Sequence, residues 1–298
     1  MLLPYLKGIP WQRFMDFISP EADRFAILKE TLQEAALEYK VTEIAGSRHI
    51  IVTPPTPEQE KSIGRRPPVI LVAHYDRAEG SPGANDNSAG VFLLIETAMK
   101  LIKKNKSSWL IIFTDREELK SGGKLQSQGA YGLAEYLKKI KMEKSKIFIF
   151  DACGTGDTLI ISTTLESLLK RDGAGEKLRD SILELRKYAL DTARNLNMAK
   201  VLLAPTPFSD DAGFIRAGLI AQTVTMLPSG ECIRLVAELR KKPEFAEALI
   251  NAKIRQASLL QSIPETWRGL NTPADSHLRL TPEHFRTVSK FAEALCSG

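Results

Sequence analysis

Cysteine is nearly absent from this chain: 298 residues hold three, Cys153, Cys232 and Cys296. An odd, widely spaced set makes no disulfide framework, which excludes a small stapled scaffold and fits a reducing compartment, so the cytoplasm is the expected location. Long apolar runs are missing too. No stretch reaches the roughly 18 residues a membrane span needs, so no membrane is expected as a partner. Pro4, Lys7, Pro10 and Arg13 interrupt the opening segment, unlike the continuous apolar core of a signal peptide. Charge of one sign is only slightly in excess, 41 Lys+Arg against 36 Asp+Glu, and the basic residues fall in short runs such as Lys103-Lys104. Nucleic acid would call for a concentrated basic face with interleaved aromatics, so none is expected as a partner. There is no Gly-x-Ser-x-Gly elbow for a serine hydrolase, and Gly154-Thr-Gly156 lacks the lysine of a phosphate loop. Cys153 stands among acids that disfavour its thiolate.

What the chain does have is a hydrophobic fraction of 43%, enough for a sizeable core. It also has an alternation of short apolar runs with helical patterns. Apolar residues from Pro20 to Tyr39 recur at helical spacing, and a strand is expected around His49 to Val52. Val69 to Ala73, Trp109 to Phe113 and Ile147 to Phe150 are unbroken apolar runs, as in strands of a parallel sheet covered on both faces. Helices are predicted between them at Val91 to Lys103 and Gly132 to Lys139. The second half predicts a helix at Glu176 to Asn195, strands at Val201 to Leu203 and Ile220 to Met226, and helices at Phe245 to Ser262 and Pro282 to Cys296, the last capped by Thr281. These βαβ units mean an α/β fold, three layers with a mostly parallel central sheet, and residues 1–298 read as a single domain.

In such sheets reactive groups collect at the carboxyl ends of strands. Those ends are unusually acidic here: His74-Tyr-Asp76, Glu117-Glu118 and Asp151, with Asp86 in the loop after the first. One imidazole and several carboxylates at a single sheet edge repel one another unless a cation sits between them, and a divalent metal is the economical answer. Mixed His and carboxylate donors suit zinc, with cobalt or manganese as less favoured occupants. Asp76, two residues from His74 on an extended chain, faces the same way and can accept the second ring N–H of His74. Of Glu117 and Glu118, one can bind metal while the other works on water.

The ordered set His74-x-Asp76, Gly83-Ala-Asn-Asp86-Asn-Ser-Ala-Gly90, Glu117-Glu118, Asp151-Ala-Cys-Gly-Thr-Gly-Asp157, Ser209-Asp210-Asp211-Ala212 and Asn271-Thr-Pro-Ala-Asp275 resembles the co-catalytic zinc aminopeptidase family, whose relatives include bacterial leucine aminopeptidases, glutamate carboxypeptidases and glutaminyl cyclases. The resemblance covers about residues 69 to 280. It implies a zinc-dependent exopeptidase acting on a peptide or a small amino-acid derivative. It further implies that His74 and Asp151 hold one zinc, Asp86 bridges two, Glu118 binds the second, Glu117 is the general base, and the Asp86–Asn87 peptide is cis.

One position departs. Where the family has a histidine before Thr-Pro-x-Asp, this chain has Asn271, a poor zinc ligand, and His277 is the candidate substitute. The stretch Lys120 to Gly129 is also longer than the family's Gly-rich turn. Two alternatives therefore stand beside the two-metal aminopeptidase: a single-metal enzyme of glutaminyl-cyclase type, and a non-catalytic family member used for binding.

Overall fold

Branched and aromatic residues concentrate in short runs, and each run becomes a strand of one eight-stranded sheet: β1 (Tyr39–Ile44), β2 (Ser47–Val52), β3 (Val69–His74), β4 (Trp109–Thr114), β5 (Lys146–Phe150), β6 (Thr158–Ser162), β7 (Val201–Ala204) and β8 (Ala221–Leu227). The structure, a computed structural model, describes residues 11–55, 67–119, 123–166, 176–242, 244–250 and 257–297. The strand order is β1-β2-β4-β3-β5-β8-β6-β7. β4, β3, β5 and β8 run parallel in the middle, while β2 and β6 join them antiparallel. The helices are α1 (Trp11–Ile18), α2 (Arg24–Glu34), α3 (Ala89–Lys103), α4 (Gly129–Lys139), α5 (Glu176–Asn195), α6 (Asp211–Arg216), α7 (Ser229–Lys241), α8 (Glu244–Ile250), α9 (Ala257–Leu260), α10 (Glu265–Gly269) and α11 (Pro282–Leu295).

The central strands are buried on both faces because helices cover both. Along β3, Leu71 and Ala73 point into a core shared with α1, α2, α3 and α11, while Ile70 and Val72 point into a second core under α4 and α6. Each fully buried Ile, Leu or Phe there contributes about 1.5–3 kcal/mol of transfer free energy. A third cluster, around Leu235, Phe245, Leu249 and Trp267, packs α7, α8 and α10 against the far end of the sheet. No helix among the described residues is long and apolar enough to cross a membrane.

The layered α/β architecture with parallel central strands is the one expected, and several elements differ from the periodic reading. The first helix stops at Glu34, because Ala36 turns the chain with φ 51° and Tyr39 already opens β1. α1, β1, β6, α6, α7 and α10 are additions that the periodic reading does not contain. The helical pattern from Phe245 to Ser262 is α8 and α9, with 251–256 outside the described residues, and it ends before Ile263-Pro264. Thr281 does precede α11, yet its hydroxyl makes no cap bond; it accepts from Gly156 N at 2.7 Å, tying the helix to the loop after β5.

α7 begins where β8 ends, and its first N–H needs an acceptor. Asp157 supplies it: its carboxylate accepts from Ser229 N and Ser229 Oγ, both at 2.7 Å, and pairs with Lys200. Gly156 makes this approach possible, since a Cβ there would stand 2.1 Å from the Leu227 carbonyl carbon. Burial pushes the Asp157 carboxyl up, but Lys200 and Ser229 outweigh it and hold the group below the ordinary carboxylate range. Asp157→Ala is accordingly expected to lose about 1–2 kcal/mol in denaturant unfolding near neutrality. A depressed folded pKa gives stability that is present above the unfolded value and lost as pH falls. The gap between the variant and the parent should therefore begin to narrow below about pH 4 and go on shrinking as pH falls toward the depressed folded value; a gap unchanged from neutrality down to about pH 2 would show that packing, not the carboxylate, is responsible.

Candidate metal centre

Because β3, β4 and β5 run parallel, their carboxyl ends meet at one edge of the sheet. His74 closes β3 and pairs in register with Thr114, the last residue of β4. Asp151 follows directly on β5. Glu117 and Glu118 come just after β4, their backbone N–H groups donating to Asp76 Oδ1 and Oδ2 at 3.2 and 3.0 Å. Asp76 thus holds the two glutamates in place while its Oδ1 lies 3.5 Å from His74 Nδ1.

Asp86 arrives from the irregular turn Ala84–Ser88, in which neither Asp86 nor Asn87 is helical and the bond between them is cis. Three polar residues seat this turn. Asp275 accepts from Asn85 N at 2.8 Å and Asp86 N at 3.0 Å, Asn87 Nδ2 donates to Phe150 O at 2.7 Å, and Asn85 Oδ1 accepts from Gly154 N at 2.7 Å. Gly90 is required for the second of these, because its Cβ would sit 2.2 Å from Asn87 Oδ1. The last sequence motif therefore keeps its aspartate in use, even though Asn271 replaces the histidine at its head.

The outcome is a cluster in which one ligand atom each from His74, Asp86 and Glu118 lies within 4.8 Å of the others. His74 is fully buried. Its Nε2 stands 3.0 Å from Asp86 Oδ1 and 3.6 Å from Asp151 Oδ1, and neither contact has hydrogen-bond geometry. Asp151 Oδ1 and Glu118 Oε1 are likewise buried without a hydrogen-bond partner. Buried polar atoms are nearly always satisfied, and a nitrogen with carboxylate oxygens converging on common space is the donor set of a divalent cation such as zinc. The residues fit the metal.

The electrostatics agree. Burial alone would lower the His74 imidazole, but Asp151, Asp76 and Asp86 around it hold it well above its ordinary value. Burial pushes the Glu117 carboxyl well up, and burial with Asp86 alongside lifts Glu118 to about 8. Burial also raises Asp86, next to Asp151, and takes Asp210 and Asp211 to about 7. The edge carries more negative charge than its cations offset, so without metal it retains protons.

Of the residues expected from sequence, His74, Asp76, Asp86, Glu117, Glu118 and Asp151 come together at this edge. His277 does not join the cluster found among the described residues; it lies in the turn His277–Arg279, its ring centroid 6.1 Å from that of Trp11. Asn271 is exposed with φ 59° and lines the same cavity as Asp86 and Glu118. That cavity, about 690 Å³, has the carboxylates on its floor and Phe208, Leu249, Ile263, Trp267 and Leu270 among its apolar walls. Sequence reasoning misses Gln128, whose Nε2 reaches Glu117 Oε1 at 3.3 Å, and Thr114, whose hydroxyl donates to Asp210 Oδ2 at 2.6 Å. The acid pair Asp210-Asp211 belongs to one of the sequence motifs, but nothing in the sequence announces that both carboxyls are fully buried.

Solved structures share this fold. The chain matches a zinc aminopeptidase from Bacillus subtilis with 19% identity and a TM-score of 0.52, covering 83% of this chain and 49% of that one, so it spans about half the length of that enzyme. It matches the Legionella pneumophila LapA aminopeptidase with 15% identity and a TM-score of 0.62, over 99% of this chain and 69% of that one. A Porphyromonas gingivalis glutaminyl cyclase matches with 18% identity and a TM-score of 0.61, over 98% and 96%. No curated protein sequence gives a significant match. The model of peptidase family M28 matches residues 44–252, a segment that holds β2 through β8 together with His74, Asp76, Asp86, Glu117, Glu118 and Asp151, and the chain belongs to that family.

Proposed function

We propose that the chain is a metal-dependent hydrolase of aminopeptidase type, removing the N-terminal residue from peptides or small amino-acid derivatives. The observation that carries this reading is the cluster of His74, Asp86 and Glu118 ligand atoms within 4.8 Å, of which Asp86 and Glu118 line a cavity together with Glu117 and Asp151 while His74 is buried behind them. His74 and Asp151 would hold one ion, Asp86 would be shared, and Glu118 would serve a second; zinc suits the donors, with cobalt or manganese able to substitute. When bound, a divalent cation polarises the scissile carbonyl and acidifies water.

The chain's own residues do the rest. Glu117, as a carboxylate once a cation offsets the neighbouring negative charge, takes a proton from the attacking water and delivers it to the departing amine. Asp76 orients His74 through Nδ1 and steadies the Glu117–Glu118 backbone. Gln128 steadies the Glu117 carboxyl. The apolar wall around Trp267 and Leu249 excludes water and receives an apolar side chain. Metal content of the purified chain, followed by hydrolysis of amino-acid anilides with added zinc, cobalt or manganese, tests the proposal. A chain that binds no metal and cleaves nothing would leave only the binding role.

Asn271 favours a second reading, a single-metal enzyme of glutaminyl-cyclase type, because an amide oxygen is a poor substitute for imidazole. The product separates the two: a peptide with N-terminal glutamine is either shortened or cyclised with release of ammonia. Asn271→His should resolve the metal count. Histidine tolerates the left-handed backbone of this position better than most residues. The variant is expected to gain about one metal equivalent per chain and at least about tenfold in anilide hydrolysis if the second site is limiting. Unchanged metal content and rate would assign Asn271 to the cavity wall alone.

A further inference from the structure

Arg24 lies in α2, outside the segment matched to the family, and it is 6% exposed. Its guanidinium sits directly behind the metal centre. Nη1 donates to Tyr75 O and Asp76 O, both at 3.1 Å, and Nη2 donates to Pro82 O at 2.8 Å, Gly83 O at 3.1 Å and Ser88 Oγ at 2.7 Å. Nε donates to Phe17 O at 3.2 Å, and the group lies 4.6 Å over the Phe17 ring. One side of the fork thus grips the chain leaving β3, just past His74, while the other grips the turn that brings in Asp86.

Every acceptor is neutral: five carbonyls and a hydroxyl. A buried guanidinium is costly unless its N–H groups are satisfied and counter-charges lie near. The nearest like charge is Arg77, which shares Pro82 O with it, and the counter-charges that oppose burial and Arg77 are Asp76, Asp86 and Asp275, two of them in the acidic edge and the third holding the Asp86 turn. The surroundings are shaped for this group. Gly83 adopts φ 61°, and a Cβ there would meet Asp86 O at 2.7 Å and Arg24 Nη2 at 2.8 Å. Ser88 Oγ accepts from Arg24 while donating to Gly83 O at 2.6 Å, so the turn is closed around the fork. A lysine could not replace it, having three donors at one point where the guanidinium has five in a plane.

We propose that Arg24 is a positioning residue of the metal centre, setting the separation between the strand end that carries His74 and Asp76 and the turn that carries Asp86. This rests on the metal-dependent reading above. It adds that a residue of the N-terminal region, without touching metal or substrate, determines how well the ligand atoms are arranged before a cation arrives.

The test uses the full chain, its Arg24→Lys, Arg24→Ala and Ser88→Ala variants, and two readouts. Cobalt binding, measured by competition with a chromophoric chelator and by the visible spectrum, should weaken about 10–100-fold in the Arg24 variants, with shifted bands. Ser88→Ala, which keeps the guanidinium, should weaken it less. Millimolar guanidinium should restore part of the loss in Arg24→Ala and do nothing for the parent. Amide exchange of the metal-free proteins should speed up at Asn85, Asp86 and Ser88 while β5 and β8 stay protected. If the folded Arg24 variants bind cobalt with parental affinity and spectrum, or if exchange rises evenly across the chain, Arg24 is a stability residue and the proposal fails. Should the parent itself bind no metal, the hydrolase reading fails separately, and the exchange pattern alone still decides whether Arg24 orders this turn.

Discussion

Glu117→Gln is expected to lower turnover by about 10²–10⁴-fold while leaving metal content, fold and KM close to those of the parent. The exchange is isosteric, and Gln128 Nε2 can still donate to the side-chain oxygen that it meets at 3.3 Å. What disappears is the ability to accept a proton from water and return it to the leaving amine. In the metal-free site burial pushes the Glu117 carboxyl well above its ordinary value, against His74 and with Glu118 and Asp151 adding to the effect; with the charge of those neighbours offset by a cation they hold, the carboxylate is free to accept the proton. Asp76→Asn should behave differently. It keeps the Glu117 carboxyl, but it removes one of the two oxygens that accept from Glu117 N and Glu118 N and weakens the orientation of His74, so metal affinity should fall and kcat at saturating metal should fall less than in Glu117→Gln. Parallel measurement of kcat, KM and bound metal distinguishes them. Turnover of Glu117→Gln within about tenfold of the parent would move the base elsewhere, with Asp210 the next buried carboxylate to examine.

The difference between these two carboxylates also explains what the sequence could show. His74, Glu117, Glu118 and Asp151 were legible because each directly follows an apolar strand run, and parallel strands deliver their carboxyl ends to one place. The central sheet was legible for the same reason, since runs buried on both faces cannot be mistaken for loops. Arg24 was not legible. An arginine in an amphipathic helix ordinarily points to water, and its acceptors lie about 50 to 65 positions along the chain, apart from the one in α1. Asp275 belongs to a recognisable motif, yet its hold on two backbone N–H groups of the Asp86 turn depends on a contact across 190 residues. His277 stands out in the sequence as a spare imidazole, whereas the fold sends it toward Trp11, itself in a helix that the proline-interrupted N-terminus does not suggest. β1 escapes because it is an edge strand without a buried residue, its Lys40, Thr42 and Glu43 breaking any apolar run, and β6, though apolar, follows β5 after only the short glycine-containing loop 151–157.

Metal-free protein should be more stable at pH 5 than at pH 8, and a divalent cation should reverse that order. Unfolded carboxyls titrate near 4, whereas the folded chain holds Glu118 at about 8 and Asp210 and Asp211 at about 7, with burial the first cause in each case. Between these values the native state carries protons that the unfolded state has released. Stability therefore falls as pH rises across the window from about 4.5 to 8. His74 acts in the same direction, since a raised imidazole gives stability that is lost as pH climbs through its folded value. Asp76 and Asp151, which neighbouring groups hold low despite burial, have their window below about 4 and do not offset this. Because the groups interact, their contributions do not add, and a loss of about 3 kcal/mol, or about 5 °C in Tm, is expected between pH 5 and pH 8 in chelator. A bound cation takes the place of those protons, so its stabilisation should be larger at pH 8 than at pH 5, and binding should release protons measurable by calorimetry in buffers of different ionisation enthalpy. A Tm in chelator that is flat or rises from pH 5 to pH 8 would mean that the acidic edge carries its charge without protons, and the electrostatic case for a cation at this site would lose its basis.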